Sequence, residues 1–261
     1  WFRQILHETA ELRRRLEARE VASALHTLTR VRHILKPHVG QVDILETMTP
    51  LDFLDFRHVF RSASGFQSLQ FRELEIRLGL RLEDRVSYDG KSYESYLSEE
   101  DQAIVRKLEK KASLFDQMDQ WLSRTPFVAM GGFDFWQAYR KAVADMVTGD
   151  KKAVAANKAL SKAARQMEIS KLDNVQKQFD MLFSKNPKEK MPWRLSMKAL
   201  QAALFVTLYR DQPALQVPFK ILSDLMDIDE TLAVWRYRHA LMVQRMLGMK
   251  MGSGGSSGHD Y

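Results

Sequence analysis

Apolar residues recur three and four positions apart along most of the chain, and the alternation expected of strands is nearly absent. Ile5, Leu6, Leu12 and Leu16, then Leu25, Leu28, Val31 and Leu35, predict two helices within residues 1–36, with Pro37 closing the second. Val42 to Glu46 begins another segment, and Thr49-Pro50 reads as a helix start leading to Phe53, Phe56 and Phe60. Ser62-Ala63-Ser64-Gly65 interrupts the pattern, which resumes at Phe66, Leu69, Leu74 and Leu78 and stops at Gly79. Residues 80–98 carry turn signals such as Asp89-Gly90. Further helices are predicted over 99–123, Phe133–Val147 with Gly149 as the stop, 151–184, 194–210, 214–226 and 229–248. No repeat and no interdomain linker is visible. The expectation is one all-α domain over 1–261, with any pocket lying between helices.

Composition agrees. The 261 residues include only 12 Gly and 7 Pro, the two strongest helix breakers. With no cysteine, disulfides, thiolate metal sites and cysteine nucleophiles are excluded. No apolar run approaches the roughly 20 residues of a membrane span, and no signal-peptide pattern is present. A cytoplasmic protein without membrane contact is expected. The first residue is Trp1, already in helix-like sequence, so a missing upstream segment is expected too. The net charge of +7 is regional: residues 151–190 hold ten Lys/Arg against four Asp/Glu, hence +6. That stretch has helical spacing and few aromatics to stack bases. It reads as a solvated face, with an acidic partner as the competing possibility and nucleic acid not expected.

Three features carry candidate chemistry. His239 shares a helix face with Leu232, Trp235, Met242, Val243 and Met246. An imidazole on an apolar stripe is either a hydrogen-bonded core residue or a metal ligand. No second His or carboxylate accompanies it at helical spacing, so a two-histidine zinc site is not indicated, whereas an axial haem ligand needs one His and an apolar wall. Arg57 lies between Phe53 and Phe60, either snorkelling at a helix end or presenting its fork of donors to a carboxylate. Lastly, Gly252-Ser253-Gly254-Gly255-Ser256-Ser257-Gly258 resembles an engineered flexible linker by composition alone.

Longer motifs point further. Trp1 to Glu8, Ile44-Leu45-Glu46-Thr47-Met48-Thr49-Pro50 with Asp55-Phe56-Arg57, Ala63 to Arg72, Arg124-Thr125-Pro126, Gln216 to Phe219, and Leu225 to Asp229 with Trp235 to Gly248 and Gly254 to Gly258 occur in order. In these motifs the chain resembles the tryptophan 2,3-dioxygenase family over nearly its whole length, least across 83–118 and 150–190. The resemblance implies an all-helical fold, haem b, and opening of the indole C2–C3 bond of L-tryptophan by O2 to give N-formylkynurenine. It implies that His239 is the proximal iron ligand, with Trp235 a cofactor contact. By the same resemblance Arg57 clamps the substrate carboxylate, and Phe53 and Phe60 wall the indole. Ser64 and Gly65 would belong to the haem-side loop, contacting both cofactor and substrate. Ser253 stands where the family usually has Thr, in a loop over the amino-acid end of the substrate. The resemblance also implies a homotetramer.

The family's distal His falls upstream of Trp1, and His7 does not occupy its position. The family's N-terminal aromatics and C-terminal helix are likewise absent from the sequence, so the chain is expected to be truncated at both ends. The alternative activity is insertion of one oxygen into a substituted indole. A non-enzymatic module using the basic 151–190 face is the third possibility.

Overall fold

In the computed structural model the described residues are 1–60, 67–85, 92–124, 135–182 and 193–248. Among them every regular element is helical. α1 (Phe2–Glu17) and α2 (Val21–Leu45) form an antiparallel hairpin. Arg30 pairs with Glu8 at 2.8 Å, and Arg15 donates to the Ser23 carbonyl at 2.8 Å. Ile5, Thr9, Leu12 and Leu16 meet Ala24, Leu28, Val31 and Leu35 along this hairpin as its buried stripes.

Pro37 does not end the second helix: α2 runs through it to Leu45. A proline inside a helix costs about 3 kcal/mol through the lost N–H and its ring. Here burial of Val31, Leu35 and Val42 on both sides of it keeps the helix going. α3 (Pro50–Arg57) starts as expected, with Thr49 and Asp52 forming a reciprocal capping box and Pro50 in the first turn. A 3₁₀ turn over His58–Phe60 follows.

α4 (Leu69–Leu78) ends at Gly79, whose φ of +122° suits glycine alone. A Cβ there would also stand 2.6 Å from the Phe115 Cβ. Ile76 of α4 joins Tyr93, Leu97 and Val105 in a small core with α5 (Glu99–Glu109). The single helix expected over 99–123 is in fact two. Ser113 and Asp116 cap each other and start α6 (Leu114–Ser123) afresh. That Ser-x-x-Asp signal was present in the sequence.

α10 (Pro213–Leu247) is one helix of 35 residues, about 52 Å long, where two were expected. It packs along α2. The expected break at 227–228 is overridden because Asp224 and Asp227 both bind Arg32 across the helix pair. Asp224 is fully buried and also meets Lys220 and Thr29.

The chain divides into two compact helical units, Trp1–Met118 with Tyr209–Tyr261, and Asp119–Leu208. In the second, α7 (Phe135–Ala156) continues through Gly149 and packs on α8 (Lys162–Met181), with Lys151 paired to Asp173 at 2.6 Å. The basic stretch is therefore broken at 157–161, where Ser161 caps α8. None of the α8 residues is buried, as expected for a solvated face. α9 (Met197–Leu208) buries Ala199, Ala202 and Val206.

Asp224→Ala removes the acceptor shared by Arg32, Lys220 and Thr29, whose side chains remain partly exposed to water, so the protein should lose about 1–3 kcal/mol of stability. Urea denaturation followed by circular dichroism measures this.

Candidate functional site

The register of α2 on α10 builds the site. Arg32 meets Asp224 and Asp227 near one end, and Arg238 meets Asp43 and Glu46 further along. Between these two brackets His38 lies against Trp235, with ring centroids 5.2 Å apart and planes at 21°. Trp235 is also stacked on His239, one turn on, at 5.3 Å and 11°. The α1–α2 hairpin places Phe2 edge-on to His38 at 4.7 Å. Phe71 of α4 completes the shelf, 4.9 Å from Trp235 and 5.5 Å from Phe2.

The buried stripe of α10 changes character here. It is sealed at Ile228 and Leu232 and again at Met246, yet Trp235, His239, Met242 and Val243 between them are only half-buried. The apolar stripe is thus less covered between two closed turns, and that stretch carries the imidazole. Burial lowers the pKa of His239. Its imidazole is therefore neutral near pH 7, the form that ligates metals. Among the described residues no group of three or more His, Cys, Asp or Glu side chains could hold a bare metal ion.

A cationic cluster borders the shelf at Phe71. Glu75, itself buried, accepts from Arg72 at 2.7 Å and Arg85 at 2.6 Å, and the Arg236 Nε stands 3.7 Å away. The Arg72 and Arg236 guanidinium carbons are 5.4 and 6.0 Å from the Phe71 ring centroid. Arg85 lies 4.3 Å over Tyr93, whose hydroxyl donates to Glu109 at 2.6 Å. Burial, reinforced by that bond, raises the Tyr93 pKa. The Arg72 Nε and the Arg85 Nε and Nη2 are buried without hydrogen-bond partners. Three arginines around one carboxylate leave donors for an anionic substituent. One neutral imidazole, an aromatic shelf and spare arginine donors would suit a largely apolar, metal-bearing cofactor with acidic substituents.

α3 packs against α10. It carries Phe53, Phe56 and Phe60 as an aromatic group, Phe53 being 5.5 Å from Phe56 and 6.1 Å from Phe60. Arg57 is half-buried at its C-terminal end. Phe56 and Phe60 remain exposed. The structure thus joins Phe53 and Phe60 in one group, and joins Trp235 and His239 in another.

Comparison with known proteins gives this arrangement an ancestry. The family model described as tryptophan 2,3-dioxygenase matches residues 1–261. The chain belongs to the tryptophan 2,3-dioxygenase family. It is similar to tryptophan 2,3-dioxygenases of Bdellovibrio bacteriovorus and Alteromonas mediterranea, at 46% and 43% identity over 270 aligned residues, covering all of this chain and 75% of each relative. The Dictyostelium discoideum enzyme of the same name is 40% identical over all of this chain and 68% of its own length. Membership makes the chain an oxidoreductase acting on tryptophan. It also sets aside the reading as a non-enzymatic module, and favours tryptophan oxidation over one-oxygen insertion into another indole.

Of the tryptophan-dioxygenase positions expected from sequence, Ser64, Gly65 and Ser253 lie outside the described residues, as does the whole Gly-Ser tail. Sequence reasoning missed His38 and the Arg72–Glu75–Arg85 cluster. His38 follows Leu35 by three residues and precedes Val42 by four, so it continues the buried stripe of α2. Taking Pro37 as a helix stop hid that signal. The arginine cluster had none, because residues 72, 85 and 236 meet only in the fold.

Both His38 and His239 have pKa values lowered first of all by burial. The unfolded chain therefore binds more protons than the folded one below the ordinary His value of about 6.5. Stability of the cofactor-free protein from this source should be complete above that value and decline as pH falls through it. Urea midpoints between pH 5 and 8 test the sign, and replacing both histidines with Phe should flatten the curve.

Proposed function

We propose that the chain opens the indole C2–C3 bond of L-tryptophan with O2, both oxygen atoms entering N-formylkynurenine, using haem b seated on the Phe2–Phe71–Trp235 shelf. The observation that carries this reading is the half-open stretch of the α10 stripe at Trp235–His239, walled by aromatics and presenting a neutral imidazole. The family is one of haem enzymes. When bound, the haem supplies the binding and activation of O2.

The chain's residues supply everything else. His239 would hold the haem iron, and its stacking on Trp235 fixes the plane of the imidazole. The unpartnered donors of Arg72 and Arg85, with Arg236, would hold the cofactor's carboxylates. Arg57 holds the substrate carboxylate in a bidentate pair. Phe53 and Phe60 flank the indole and keep water from it, which accounts for an aromatic group standing partly exposed in the free protein. Ser64 and Gly65 line the cofactor and substrate, and the Ser253 hydroxyl bonds the substrate ammonium.

The family match runs across both units, which supports reading 1–261 as one catalytic domain. No helix among the described residues is long and apolar enough to cross a membrane. The assembly is a homotetramer working in the cytoplasm, as the resemblance of the sequence implies.

His239→Ala should abolish the histidine-ligated Soret spectrum on hemin titration and with it the conversion of tryptophan. Retention of both would remove His239 from its role. Arg57→Lys keeps the charge and loses the fork. Its KM for tryptophan should rise about 10- to 100-fold, the scale of a charge-assisted hydrogen bond, with hemin binding unchanged.

A further inference from the structure

His38 takes no part in the function described above, and its surroundings do not explain it. Both ring nitrogens are buried and neither has a hydrogen-bond partner. The ring is stacked on Trp235 and meets the edge of Phe2. Its pKa is lowered by burial and, secondarily, by the amino terminus of Trp1, so the neutral ring offers one N–H donor and one acceptor. Leaving such a group unsatisfied inside a protein is unfavourable. Phenylalanine would stack on Trp235 as well without that cost. Packing alone therefore accounts for a ring at position 38 but not for an imidazole.

The rings that His38 touches, Trp235 and Phe2, belong to the shelf, so a group seated on that shelf is the nearest candidate for the missing partner. The seat of the haem is the same shelf. The rim of haem b carries methyl, vinyl and carboxylate substituents, and only the two carboxylates form strong hydrogen bonds. We propose that His38 is a cofactor-anchoring residue whose ring N–H donates to a carboxylate of the bound porphyrin. This rests on the haem reading and extends it to a residue on α2. It also explains the register of the helix pair: the Arg32–Asp224 and Arg238–Asp43 brackets hold His38 level with Trp235.

The test uses the full-length protein, freed of cofactor and titrated with hemin. Wild type must first give a Soret spectrum that His239→Ala loses; if it does not, the haem reading fails whatever His38 does. His38→Phe keeps the ring and removes the nitrogens. It should release hemin to an excess of apomyoglobin about tenfold faster than wild type, the loss expected for one charge-assisted bond. Its histidine-ligated spectrum should persist, and its cofactor-free form should melt at or above the wild-type temperature. His38→Gln, which restores a donor, should recover much of the retention. With the dimethyl ester of hemin, which has no free carboxylate, wild type and His38→Phe should release the cofactor at similar rates.

Release within about twofold of wild type for hemin itself would overturn the proposal. So would an undiminished difference with the diester. A cofactor-free His38→Phe that melts lower while hemin release is unchanged would assign the nitrogens to a water or to another part of the protein, and also overturns it. Should His38→Phe fail to fold, His38→Leu against His38→Gln makes the same comparison.

Discussion

The buried carboxylate of Asp224 fixes how α10 lies on α2, and most of the molecule follows from that. A fully buried acid is tolerable only when its oxygens are occupied, and Arg32, Lys220 and Thr29 occupy them. Because Arg32 also reaches Asp227, the interaction spans a helical turn and sets rotation as well as register. Arg238 with Asp43 and Glu46 repeats the device further along. Between the two, side chains that never meet in sequence are brought level, and His38, Trp235 and His239 form one stacked series.

That series sits where the molecule is chemically most unusual. Aromatic rings from α1, α4 and α10 make an apolar shelf, and burial keeps both imidazoles neutral. At Phe71 the shelf gives way to arginines that outnumber their carboxylate. A neutral imidazole, an apolar shelf and spare cationic donors would together suit a metalloporphyrin with acidic substituents, as proposed above. The low polarity of the shelf and the unpartnered donors at its rim are then two faces of one requirement, not independent oddities.

Much of this was legible beforehand. Helical periodicity predicts the all-α class, Thr49-Pro50 and Gly79 mark a start and a stop that the structure keeps, and Leu232, His239 and Met246 share one face of α10. The errors share a cause. Local preference marks Pro37, Gly149 and residues 227–228 as breaks, and α2, α7 and α10 run through all three. In the opposite direction, Ser113 and Ser161 were overlooked as caps, and each splits a helix expected to be whole. Local preferences of about 1–3 kcal/mol decide exposed positions, but burial and ion pairing on a neighbouring helix exceed them along α2 and α10.

By itself the sequence determined the helical class, the apolar face bearing His239 and, through its ordered motifs, kinship with tryptophan-cleaving dioxygenases. Those depend on patterns within single helices and on runs of neighbouring residues, which a sequence displays directly. Only the tertiary structure decided that His38 faces Trp235, that Arg72, Arg85 and Arg236 converge on Glu75, and that the α10 stripe is open where His239 stands. Each of these joins residues from different helices, and the angle and register between helices come from cross-helix packing and ion pairs that no single segment encodes.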